Sequence, residues 1–368
     1  MAQATDSLFH AQLRFLKYYR KNISWRQIFN SNNNIKNNQK MNYRVLGKTG
    51  FEVSEISLGT WQVGGKWGSK FDHSLAESII REAIDRGVNF IDTADVYSDG
   101  ESEKAVGKAV RESGASVRVA TKCGRQINPH VNKGYTPEVL RGYVEDSLMR
   151  LGTDCIDLIQ LHCPPTEVYY RPEIFDEFDK LKQEGKILNL GVSVEKVEEA
   201  IKAIEYGNVT TVQIIYNIFR QRPHERFFSM AREKKVGLII RVPLASGLLS
   251  GKFGPDTRFA PGDHRFFNRN GLFFDKGETF SGVPYETGLR AVARLKALFP
   301  ENTPLAHVAL QWILLSEEVS CIIPGASSPD QVRSNLGAAD FIDFTIEQIR
   351  AIDEVYEEEI KPLVHQLW

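Results

Sequence analysis

Carboxylate, phenol, ammonium and imidazole groups stand at the ends of successive apolar runs in this sequence. Residues 88–97 read VNFIDTADVY: the run Val88–Ile91 stops at Asp92, and Asp95 and Tyr97 follow. The next two runs end in Lys122 (VATKC) and His162 (LIQLH). Each alone has an ordinary structural reading. Asp and Tyr can cap a strand at a solvated turn, a lone Lys can be an ion-pair partner, and a lone His can be a hydrogen-bonded structural residue. Asp92, Asp95 and His162 also carry the donor types of a metal-dependent hydrolase. Against that reading, Lys122 would add positive charge beside the cation, and only one His is available. What these groups do depends on whether the fold brings them together.

The pattern that must position them starts at NYRVLGKTGFEV, which reads as a β-hairpin turning at KTG. Eight short apolar runs follow: EISLGTW, VNFIDTA, VRVATKC, DLIQLH, ILNLGVS, VTTVQIIYN, VGLIIRVPL and SCIIPGAS. Amphipathic helical stretches alternate with them, among them SLAESIIREAIDRG, SEKAVGKAVRESG, TPEVLRGYVEDSLMRLG and PEIFDEFDKLKQEG. Several end in Gly, and TPEV offers a Thr cap with Pro at the first helical position. Runs buried on both faces, each followed by a helix, imply a parallel sheet. Eight such units in roughly 300 residues fit a closed (β/α)8 TIM barrel. An open doubly wound sheet fits less well, because no G-x-G-x-x-G follows the first strand. QVGGKWGSK is a near miss for a phosphate loop and is discarded, since its first glycine would fall at Thr60.

In a barrel of this kind, function collects at the C-terminal ends of the strands. Those ends hold Trp61, Asp92 with Tyr97, Lys122, His162, Ser193, Gln213 with Asn217, Arg241 and the PGASS turn. All of them converge on one mouth.

With these residues in place, the sequence resembles the aldo-keto reductases from Tyr43 to about Ala339. The likeness runs through YRVLGKTGFEVSEISLGTW, FIDTADVY, ATKCG, DLIQLHCP, LGVS, PLASGLLSGK and IPGASSPDQVRSNLGA. It implies hydride transfer from a nicotinamide to an aldehyde or ketone, with a catalytic tetrad of Asp92, Tyr97, Lys122 and His162. Tyr97 would be the proton donor. Its phenol, ordinarily near ~10, needs Lys122 to lower its pKa, with Asp92 holding Lys122 charged. His162 would act as a neutral hydrogen-bond donor to the carbonyl. No metal is implied, since the cofactor carries the hydride chemistry. Asp95 falls at a variable position and is expected to be a turn or salt-bridge residue.

The same resemblance implies cofactor contacts. Ser193 and Gln213 would bond the carboxamide, and the loop containing Pro243, Leu244 and Lys252 would wrap the pyrophosphate. Gly325, Ser327, Gln331 and Asn335 would meet the adenosine end, where the helix start at SSPDQ suits a phosphate. The segment from Phe253 to Pro284 is too long for a plain connection and should close over cofactor and substrate, with Arg258 or Arg265 as a contact. Trp61 would wall the substrate pocket, or serve as a core or lid residue. The tail KPLVHQLW is a further candidate for the pocket.

Three departures matter. Val194 stands where many members have Asn, and Arg241 where many have an aromatic ring stacked on the nicotinamide. A guanidinium there should disfavour the oxidised, positively charged ring and bias the protein toward reduction. Gly325 and Gln331 occupy positions that grip the 2′-phosphate of NADPH in other members. The pattern resembles the branch that includes potassium-channel β subunits, which also bind NADP. Arg333 on the same helix could compensate, so NADPH is favoured over NADH. A regulatory, NADPH-holding protein with slow turnover is the alternative to a carbonyl reductase; retention of His162 favours the enzyme.

A net charge of −1 at pH 7 gives no sign of a nucleic-acid partner, and no apolar run approaches a membrane span. Small carbonyl compounds are the expected partners, and oligomeric state is not legible. Cys123, Cys155, Cys163 and Cys321 show no metal or disulfide spacing and suggest a cytoplasmic setting. Residues 1–40 hold seven Lys or Arg against one acid, Asp6, and end in an Asn-rich run. They read as a disordered extension or a misplaced start in preference to a targeting peptide. One barrel domain is expected over 41–368, with an extra C-terminal helix after Phe344.

Overall fold

The computed structural model describes residues 41–65, 70–340 and 342–368. The expectations for residues 1–40, and for part of the discarded phosphate loop, lie outside the described residues. The expected hairpin pairs β1 (Tyr43–Val45) with β2 (Glu52–Ser54), Tyr43 lying opposite Ser54. It plugs one end of the barrel. Leu46 and Val53 are buried against Phe90, Ala120, Leu158 and Ile239. Gly47 makes this possible: at φ +51°, a Cβ there would lie 2.1 Å from the backbone nitrogen of Gly237.

The eight expected strands are all present. They are β3 (Leu58–Gly59), β4 (Phe90–Asp92), β5 (Arg118–Cys123), β6 (Ile156–His162), β7 (Ile187–Ser193), β8 (Val209–Ile215), β9 (Gly237–Arg241) and β10 (Val319–Ile322). They pair in parallel in chain order. Parallel bridges Ile56–Ile322 and Gly59–Gly325 bring the last strand to the first and complete the (β/α)8 barrel. The register sets the site: Lys122 lies opposite Gln160, His162 opposite Ser193, and Ser193 opposite Gln213.

Local chemistry explains the helix boundaries. Pro137–Leu151 begins with the Thr136 hydroxyl accepting from the Val139 amide at 3.3 Å, and stops at Gly152 in the left-handed region. His73–Asp85 is capped by Asp72, and Glu101–Ser113 ends at left-handed Gly114. The tail helix Ile346–Val355 has a Thr345–Gln348 capping box. It widens into a π turn at Tyr356–Ile360 before Lys361–Val364. A second extra helix, Tyr285–Lys296, precedes the last βα unit. Arg294 on it pairs with Glu358 at 2.8 Å and Glu359 at 3.1 Å, joining the two additions outside the barrel.

Candidate active site

The hairpin closes one end of the barrel, and the polar residues gather at the other. Lys122, fully buried, lies 2.5 Å from Asp92 Oδ2. It also donates to the Thr93 carbonyl at 2.8 Å and to the Tyr97 hydroxyl at 3.3 Å. The other oxygen of Asp92 accepts from Gln160 at 3.0 Å and Gln213 at 2.7 Å. With both oxygens engaged by protein donors, Asp92 is not arranged as a metal ligand. The Tyr97 and His162 rings meet edge to face, with centroids 6.0 Å apart. The four expected catalytic residues therefore share one place.

Their protonation follows from burial and neighbours. Burial works against the charge on Lys122, but Asp92 and then Tyr97 outweigh it and hold the ammonium above its ordinary range. His162 is driven well below its ordinary value by burial, then by the charges of Arg125, Lys122 and Arg241. Its imidazole is neutral, and its Nδ1 is buried without a hydrogen-bond partner. Tyr97 corrects the sequence expectation. Burial raises its pKa by more than Lys122 lowers it, and Asp92 adds to the rise, so the phenol ends above its ordinary value. Lys122 offsets desolvation without producing a net decrease.

Arg241 also differs from expectation. Its guanidinium donates to Glu195 at 2.9 Å and to the Val194 carbonyl at 3.0 Å, and lies 3.6 Å from Glu278. A compensated cation gives no basis for the expected bias against an oxidised ring. Glu278 comes from the Phe253–Pro284 segment, which folds over the mouth. Arg125 lies near the same two carboxylates, 3.9 Å from Glu195 and 3.7 Å from Glu278, without a hydrogen bond to either. The Cys163 thiol and these carboxylates come within 4.8 Å of one another, but the two guanidinium groups already supply the compensating charge.

Sequence reasoning missed Gln160, Arg125, Glu195 and Glu278. Gln160 had a signal, since it lies two residues before His162 and must share its face of the strand. The other three come from loops, where spacing carries no such information.

The expected cofactor residues form a track along the mouth. The Ser193 hydroxyl lies 3.5 Å from both Gln213 Oε1 and the Cys163 sulfur. Beyond β9 the backbone is left-handed at Val242 (φ 52°), Ala245 (46°), Ser246 (55°) and Gly247 (97°). Positive φ at a β-branched residue is a strained exception. Asn217 holds it, donating to the Val242 carbonyl at 2.9 Å and to Ser281 Oγ at 2.8 Å. Ser281, itself at φ 57°, belongs to the closing segment. Pro243 is buried, Leu244 half-buried and Lys252 exposed along this turn. At the far end, Ser328 caps the helix Pro329–Leu336. The Ser327 amide donates to Gln331 at 2.8 Å, and Asn335 donates to the Gly325 carbonyl at 3.1 Å. The hydroxyl-and-amide station, the strained glycine-bearing turn and the capped helix start lie at the positions expected to meet the carboxamide, pyrophosphate and adenosine ends of a nicotinamide dinucleotide. Arg333 pairs with Glu82 at 2.9 Å and with Asp330.

Asp95 lies in a turn, as expected, but it makes no salt bridge among the described residues. It is fully buried, and both carboxyl oxygens lack a hydrogen-bond partner. Burial, then the charge of Glu103, raises its pKa to about 7. Trp61 meets two residues of the closing segment, with its ring centroid 4.8 Å from His264 and 5.9 Å from Phe274. Arg265 is turned to Asp263 at 2.6 Å, while exposed Arg258 donates to the Pro255 carbonyl at 3.1 Å. The tail reaches the same segment: Trp368 donates its indole N–H to Asp275 at 2.8 Å and lies 3.8 Å from the Arg220 guanidinium.

The aldo/keto reductase family profile matches residues 55–357. The aldo-keto reductase YhdN of Bacillus subtilis (strain 168) is 32% identical over 303 residues, covering 80% of this chain and 87% of the relative. The NADH-specific methylglyoxal reductase of Escherichia coli (strain K12) is 30% identical over 310 residues, covering 80% and 92%. Among solved structures, the glycerol dehydrogenase AKR11B4 from Gluconobacter oxydans superposes with a TM-score of 0.71 at 30% identity, covering 86% of this chain and 96% of that one.

Proposed function

Starting from the fact that the chain belongs to the aldo/keto reductase family, we propose that it reduces an aldehyde or ketone to an alcohol with NADPH, Tyr97 serving as the acid. The observation that supports this most directly is the chain of contacts from Asp92 through Lys122 to the Tyr97 hydroxyl, at 2.5 and 3.3 Å. A bound nicotinamide would supply the hydride. The residues handle the other half of the reaction. Reduction puts negative charge on the substrate oxygen, which needs a proton and a field to stabilise it. Tyr97 gives its proton to that oxygen, and Lys122 stabilises the phenolate left behind. Asp92 keeps Lys122 charged and fixed, and Gln160 and Gln213 fix Asp92. Neutral His162 orients the carbonyl without competing as an acid.

NADPH is preferred over NADH in this proposal because Arg333 and Lys252 place cations along the cofactor track. The Arg333 ion pairs are exposed and therefore weak, which leaves that side chain available to a 2′-phosphate.

The test is NADPH oxidation with a panel of small aldehydes and ketones, comparing wild type with Tyr97→Phe. Turnover should fall by about 10²- to 10⁴-fold in the variant, with NADPH binding retained. Tight NADPH binding with negligible wild-type turnover across the panel would overturn the reductase reading.

A further inference from the structure

We propose that Arg125, acting with Glu195 and Glu278, recognises a hydroxyl group on the substrate, so that this site selects carbonyl compounds hydroxylated next to the reacting carbon. This inference rests on the reductase reading above.

Arg125 follows Lys122 by three residues, just beyond the end of β5. Its guanidinium lies near two carboxylates yet reaches neither. The separations are 3.9 Å to Glu195 Oε1 and 3.7 Å to Glu278 Oε1, and Arg125 makes no hydrogen bond among the described residues. By contrast, Arg241, which shares these carboxylates, binds Glu195 directly at 2.9 Å. The Glu195 oxygen that faces Arg125 is buried and has no hydrogen-bond partner. A buried acceptor left unmet is costly.

The geometry defines what would meet it. Two atoms 3.7 to 3.9 Å apart can both lie about 2.8 Å from a third atom. A hydroxyl oxygen at that point accepts from the guanidinium and donates to the carboxylate, so both protein groups are satisfied at once. Other chemistries fit less well. A substrate carboxylate would face Glu195 and Glu278 at close range, and a cation would face Arg125 and Arg241. A second carbonyl can accept from Arg125 but leaves the Glu195 oxygen unmet. With an unsubstituted aldehyde the pair is left to water.

The position relative to the chemistry is suitable. Glu195 lies two residues past Ser193, whose strand register pairs it with His162. After burial, the Arg125 charge is the largest influence holding His162 below its ordinary range. In this proposal, a carbonyl held by Tyr97 and His162 has its neighbouring carbon directed toward the cluster. Charge within the cluster is also balanced around such a group. Burial, together with the neighbouring Glu278 carboxylate and its hydrogen bond, pushes Glu195 above its ordinary range against the pull of Arg241, whereas Arg241, Arg125 and the bond to Glu195 overcome burial at Glu278 and hold it below.

The experiment compares kcat/KM for lactaldehyde, propanal and glyoxylate with NADPH, in wild type, Arg125→Met and Arg125→Lys. Lactaldehyde differs from propanal by the hydroxyl alone. Wild type should favour lactaldehyde by roughly 10- to 100-fold. Arg125→Met should bring the ratio close to one, and Arg125→Lys should keep part of it. If Arg125→Met is poorly folded by circular dichroism, the ratio in Arg125→Lys carries the test. A wild-type ratio within twofold, or a preference that survives both substitutions, overturns the inference while leaving the reductase reading intact. A preference for glyoxylate that Arg125→Met abolishes overturns it in favour of an anion site. Failure of wild type to reduce any of the three, or the broader carbonyl panel, removes the reductase reading and this inference together.

Discussion

Replacing Asp95 by Asn should stabilise the protein, and by more at pH 8 than at pH 5.5. Asp95 has no accessible surface, both of its carboxyl oxygens are unpaired, and after burial the charge of Glu103 is the largest influence raising its pKa. Its pKa rises from 3.8 to about 7 on folding. A carboxyl whose folded pKa is raised destabilises the native state relative to a group that stays neutral. That cost is absent below the unfolded pKa, grows as pH rises, and levels off above the folded value. At about 1.4 kcal/mol per tenfold change in proton affinity, the full gap has a ceiling of about 4 kcal/mol. The part that develops between pH 5.5 and 8 is about 2 kcal/mol. Asn keeps the shape and cannot ionise. Urea denaturation of wild type and Asp95→Asn at the two pH values measures the difference directly. A stability difference that does not change with pH, or that shrinks toward pH 8, would refute the argument, because it would mean that Asp95 is ionised and compensated in the folded protein.

Other consequences follow from the same site. Lys122→Met leaves Asp92 buried with only its two glutamine donors, and should cost about 3 kcal/mol or more in chemical denaturation, with loss of reductase activity. The rate of reduction should show no acid limb near neutrality from His162, because burial and then the charges of Arg125 and Lys122 hold it well below its ordinary range. It should fall only in the alkaline range, because Tyr97 must stay protonated and burial raises its pKa; a kcat/KM profile that declines near neutrality would contradict this. Gln160→Leu removes one donor to Asp92 while Gln213 remains, so kcat should drop with little change in cofactor affinity, as read by steady-state kinetics and NADPH fluorescence. Arg333→Ala should weaken NADPH binding several-fold and leave NADH binding unchanged; equal effects on the two cofactors would remove Arg333 from the 2′-phosphate site.

The sequence by itself determined the strand order, the helix stops and the convergence of Asp92, Tyr97, Lys122 and His162. Those features are written in local periodicity, because side chains alternate along a strand and a parallel barrel puts every strand's C-terminal end on one rim. Thr136, Gly114 and Gly152 could be read as helix boundaries for the same local reason. Tertiary structure alone decided the rest. Arg241 looked like a lone cation until Glu278, from a distant loop, arrived beside it. Asp95 is a turn residue, as the sequence suggested, but only the fold shows that its carboxylate is enclosed without a hydrogen-bond partner. Tyr97 was expected to be more acidic and is less so, because the burial that brings Lys122 to it also removes water. Protonation depends on the balance of burial against nearby charge in three dimensions, and for Arg241, Asp95 and Tyr97 that balance exists only once the chain has folded.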